Sequence, residues 1–63
     1  MKGMAIIQIL DPGGNWRDVT TVINHSAIIV RNMESVARMN KNRQVRAVDD
    51  KGNILNISPA ILR

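Results

Sequence analysis

The chain has no cysteine, phenylalanine or tyrosine, and only one histidine, one tryptophan and two prolines in 63 residues. Without cysteine there is no disulfide framework and no thiolate zinc site, and the composition suits a reducing compartment. A base, a nucleophile and an orienting acid must meet within hydrogen-bond reach for covalent catalysis. The one histidine, His25, reads instead as a loop or helix-start residue, and Asp49-Asp50 reads as a turn, not a metal site. The expectation is therefore no enzyme, no metal and no cofactor. A recognition sheet with paired aromatics and a helix-turn-helix are excluded as well, the first by the missing rings and the second by the missing second helix.

A long apolar run is also missing. Met4 to Leu10 is interrupted by Gln8 and ends at Asp11-Pro12, too short and too polar for a signal peptide or a membrane span. The reading is a cytoplasmic protein with no membrane partner.

What remains is 44% hydrophobic residues, mostly Ile, Val, Leu, Met and Ala, with a net charge of +4. A chain of this length forms one domain, residues 1–63, and buries only about 60% of its unfolded surface. Such domains need a staple or a partner. With neither disulfide nor metal to hand, a homodimer is expected. The positive charge points to an anionic partner.

The stretch from Ser26 to Arg46 holds five of the nine basic residues. With Ser26 as N-cap and a step of about 100° per residue, Ile29, Val30, Met33, Val36, Ala37 and Asn40 share one face. Arg31, Glu34, Ser35, Arg38 and Lys41 share the other. Ile28-Ile29-Val30 disfavours this helix, because consecutive β-branched residues fit a strand better. A strand, or a helix start nearer Asn32, is the alternative.

Met4–Leu10 reads as a strand apolar on both parities, with Ile7 and Ile9 opposite Met4, Ile6 and Leu10. Both its faces therefore need cover. Asp11-Pro12-Gly13-Gly14 signals a type II turn with glycine at the third position. In the strand Asn15–Ile23, Arg17, Val19, Thr21 and Ile23 share one face and Trp16, Asp18, Thr20 and Val22 the other. Gln44–Asp49 and Asn53–Ile57 form a second hairpin around Gly52, and Ser58-Pro59 reads as a helix cap leading into Ala60–Arg63. The order ββαββ predicts an α+β domain, a small antiparallel sheet with one helix on one face and a dimer on the other.

Arg38, Lys41, Arg43 and Arg46 run from the wet helix face into the third strand and are expected to form one contiguous patch whose guanidinium forks suit phosphate or carboxylate. Trp16 is either a core or dimer-interface anchor or, with Arg17 beside it, a stacking platform for a base. The expected function is a non-enzymatic, basic homodimeric protein binding nucleic acid or a signalling nucleotide. The alternative is an accessory or inhibitor protein that docks a host protein through its apolar sheet face and strand edge.

The closing segment, Arg43-Gln44-Val45-Arg46-Ala47-Val48-Asp49 followed by Lys51-Gly52-Asn53-Ile54-Leu55-Asn56-Ile57, resembles the ending of many small uncharacterised proteins carried by bacteriophages. The resemblance covers about the last third of the chain. It implies a phage-encoded accessory protein that binds a host component, a nucleic acid or a small signalling nucleotide, and it assigns no site residues.

Overall fold

A computed structural model describes residues 3–58. The elements run β1 (Met4–Leu10), β2 (Trp16–Ile23), α1 (Ser26–Met39), β3 (Val45–Asp49) and β4 (Ile54–Ser58). All neighbours pair antiparallel in the sheet order β2-β1-β3-β4. The expected α+β architecture is present. Ala60–Arg63, read as a helical turn, lies outside the described residues. Ser58 ends β4 opposite Val45.

Both hairpins close on one turn chemistry, Asp-x-x-Gly-Asn, at Asp11–Asn15 and Asp49–Asn53. In each, the amide of Asp donates to the carbonyl of Asn, at 2.8 and 2.9 Å, and the glycine amide donates back to Asp, at 3.0 and 3.1 Å. The positive φ falls on Gly14 (87°) and Gly52 (85°). The first turn is therefore not type II with Gly13 in the left-handed region. It is a three-residue loop whose last residue is left-handed. The carboxylates of Asp11 and Asp49 accept the amides of Asn15 and Asn53, at 2.9 and 2.8 Å.

Three consecutive β-branched residues do lie inside α1, because packing outweighs a propensity penalty of a few tenths of a kcal/mol per residue. Ile29, Met33 and Val36 are buried against Ala5, Ile7, Val45 and Ala47, and Ile9, Val22 and Ala37 pack around them. Two details differ from the sequence reading. His25, with extended backbone, takes the N-cap position without a side-chain cap, and Ser26 is the first helical residue. Val30, expected in the core, is 41% exposed, because α1 touches β4 least among the strands.

β2 does not keep strict alternation. Ile7 pairs with Thr20 but Gln8 with Asp18, so Val19 is an extra residue. A bulge of this kind shifts the side-chain phase. Thr21 and Ile23 consequently share a face with Trp16 and Asp18 instead of with Arg17. The second bulge leaves Leu55 unpaired, and Ile54 and Ile57 come to the same face of β4.

Two measurements check the turns. Gly14→Ala should lower stability by about 1–2 kcal/mol, the cost of a left-handed L-residue, whereas Gly13→Ala should be nearly neutral in chemical denaturation. The second concerns pH. The amide and side chain of Asn53 hold the Asp49 carboxyl below its ordinary value of 3.8, and Arg17 followed by the Asn15 amide does the same for Asp11. A lowered folded-state value stabilises above the unfolded value and is lost as pH falls through the folded one. Thermal scans should show wild type losing stability below about pH 4, and Asp49→Asn should flatten that slope.

Candidate functional site

The sheet sorts its side chains onto two surfaces. On the face away from α1, the register builds four rows across the strands: Ile23–Met4, Thr21–Ile6–Val48–Ile54, Asp18–Gln8–Arg46–Ile57, and Trp16–Leu10. The third row is a hydrogen-bonded polar ladder. Gln8 Nε2 donates to Asp18 Oδ1 at 2.7 Å and Arg46 Nε donates to Gln8 Oε1 at 2.8 Å. The guanidinium of Arg46 then stacks over the Trp16 ring, 4.1 Å from its centroid. Arg46 and Asp18 are the only charges in the four rows. The other rows are apolar apart from Thr21, and Met4, Ile23, Ile54 and Ile57 are 45–55% exposed. Val48 is buried on this same side, outside the core cluster under α1.

On the helix side, an open groove of about 910 Å³ runs between α1 and β4, within the volume range of small-molecule sites. Its apolar floor is Val30, Met33 and Ala37, with Ile57 bordering it at the β4 edge. Asn42, Asn56 and Ser58 supply amides and a hydroxyl, and Arg38, Lys41 and Glu34 supply charge. Arg38 sits in the last turn of α1. Lys41 follows in a loop whose reversal is made by Asn42 at φ 69°, a left-handed conformation that asparagine tolerates. The side chain of Asn40 donates to the Val36 carbonyl at 2.9 Å and ties down the helix end. Neither Arg38 nor Lys41 has an ion-pair partner among the described residues.

The basic residues read from the sequence therefore do not form one patch. Arg46 and Trp16 come together on the open face, away from Arg38 and Lys41 in the groove. Arg17 turns to the first hairpin loop, where its Nε meets Asp11 Oδ2 at 2.7 Å, its side chain 70% exposed. Arg43 is half-buried in the α1–β3 loop. Trp16 is not part of the core under α1. Gln8, Asn42, Asn56 and Ser58 were not expected at either surface. Only the register of β1 against β3 could have shown Gln8 beside Arg46, whereas asparagine after a helix end is a recognisable left-handed signal.

Among the described residues, no three of His, Cys, Asp and Glu come together, and no helix is long and apolar enough to cross a membrane. No protein-family model, curated protein or solved structure matches the chain.

The sole tryptophan reports on the ladder directly. Arg46→Ala should increase acrylamide quenching of Trp16 fluorescence and cost about 0.5–1 kcal/mol of stability. Unchanged quenching would mean that the guanidinium does not cover the ring in solution.

Proposed function

We propose that this is a non-enzymatic binding protein that holds an anionic ligand of nucleotide size in the groove between α1 and β4. The observation that carries the reading is the pairing of two unpartnered cations, Arg38 and Lys41, with an apolar floor. Val30, Met33 and Ala37 offer a surface for a planar or apolar body. Arg38 and Lys41 at one wall meet its phosphate or carboxylate oxygens, and Asn42, Asn56 and Ser58 supply hydrogen bonds that fix its orientation. Glu34 on the same lining favours a ligand that also carries a donor, as a nucleobase amino group does. A concave, partly apolar site supports a compact molecule over a nucleic-acid backbone, which would track an extended basic surface instead. The absence of cysteine and the bacteriophage-like closing hairpin fit a cytoplasmic accessory role. The second reading, a factor that docks a host protein, draws on the exposed apolar residues of the open face.

NMR titration of the full chain with a panel of nucleoside mono- and diphosphates, and separately with a single-stranded oligonucleotide, tests this. A nucleotide should shift the amides of Val30, Ala37, Lys41 and Asn56. Because a hydrogen bond to a charged group contributes about 1.5–3 kcal/mol, the Arg38→Ala/Lys41→Ala pair should weaken binding by roughly 100-fold or more. Perturbation by the oligonucleotide alone, with a steep salt dependence, would replace the nucleotide with nucleic acid. Shifts confined to the open face, or none, would remove the groove from the account.

A further inference from the structure

We infer that the open sheet face is the interface of a two-fold homodimer, its occupant a second copy of this chain. The inference does not rest on what the groove binds.

Charge is the first argument. Nine basic residues less Lys2 and Arg63 leave seven in the described range, and only Arg46 lies on the open face. There it is balanced by Asp18 through Gln8. The face is neutral on a chain of net charge +4, so two copies meet on it without repulsion, whereas an acidic partner would be drawn to the helix side. Its composition, with Trp, Arg, Met and Ile present and Lys and Glu absent, is that of an interface core.

Pattern is the second. A two-fold axis parallel to the strands, between β1 and β3, lays each of the two four-residue rows on its own copy, Ile6 over Val48 and Gln8 over Arg46. The row Thr21–Ile54 meets its like, and in the polar row Gln8 and Arg46 meet each other across the axis while Asp18 stays at the rim beside Ile57. A self-complementary patch is what a two-fold interface requires. The third argument is need. Among the described residues only eight hydrophobic side chains are buried, seven of them in the cluster under α1, while Met4, Ile23, Ile54 and Ile57 stand half-exposed on the side that α1 does not cover.

Size sets the strength. Twelve residues at roughly 30–40 Å² each give about 700–1,000 Å² in total, at the low end for specific interfaces. The dimer should therefore dissociate on dilution.

Sedimentation velocity of the full chain between about 10 μM and 1 mM spans that regime. The expected result is a mass rising from one chain to two and no further. Ile23→Glu and Ile54→Glu, at positions 55% exposed in the single chain, should each hold the protein monomeric with an unchanged circular dichroism spectrum. Met39→Glu, 81% exposed on α1, should leave the dimer intact. In wild type, concentration-dependent amide shifts should fall on Ile6, Arg46 and Ile54 and spare α1, a readout independent of any variant. A monomer at the highest concentration, a dimer indifferent to both glutamates, shifts on α1, or growth beyond two copies would each overturn the inference.

Discussion

One helix must cover four strands, and it is not wide enough. A helix with its side chains is about 10 Å across, while four strands about 4.8 Å apart span nearly 20 Å. α1 therefore seals β1, β3 and part of β2, and the strip over β4 stays open. The groove is that uncovered strip. Asn56 and Ser58 face it from β4, polar where a wider helical layer would have demanded apolar residues. The other face has no covering layer among the described residues. Both candidate surfaces follow from this shortage of helix.

The shortage falls hardest on β1. It is a central strand, paired on both edges, and it carries Ala5 and Ile7 under the helix and Ile6 and Leu10 on the far side. The bulges keep the far side organised. Had β2 alternated without interruption, Thr21 and Ile23 would have turned toward α1 and Thr20 and Val22 away from it. The extra residue at Val19 resets the phase so that Val22 joins the core and Ile23 joins Met4. Leu55 does the same on the opposite edge, bringing Ile54 and Ile57 to one side. Bulges on both outer strands also disrupt the regular edges that would template further pairing.

These causes set what was legible in the sequence. The element order could be read because each signal was local: the Asp-Pro-Gly-Gly and Asp-Lys-Gly breakers, the helical spacing of Ile29, Met33 and Val36, and the short apolar strands. The two-sided apolar character of β1 was legible too, but its central place, paired on both edges, comes only from the register. The phase of β2 was not, since nothing in Trp16–Ile23 marks Val19 as the residue to be expelled; the bulge is settled by the partner strand. The repeated Asp-x-x-Gly-Asn was visible and would have placed the left-handed residue at Gly14. The division of the basic residues was beyond a linear reading, because Arg38 and Arg46 are eight residues apart in the chain but stand on opposite sides of the sheet.

The two surfaces also differ in what they lack. Arg46 is satisfied within one chain, its Nε held by Gln8 and its guanidinium plane laid on Trp16. That face carries one cation and one anion linked through Gln8, so association there gains apolar area at a lower electrostatic cost than on the groove side. Arg38 and Lys41 have no such partners among the described residues, and burying them without an anion would be unfavourable. The polar ladder crosses the middle of the open face, where it fixes which row can meet which, so the face is sticky in one register and not in others. The first surface is neutral and largely apolar and the second is cationic, and the sheet between them keeps the two apart.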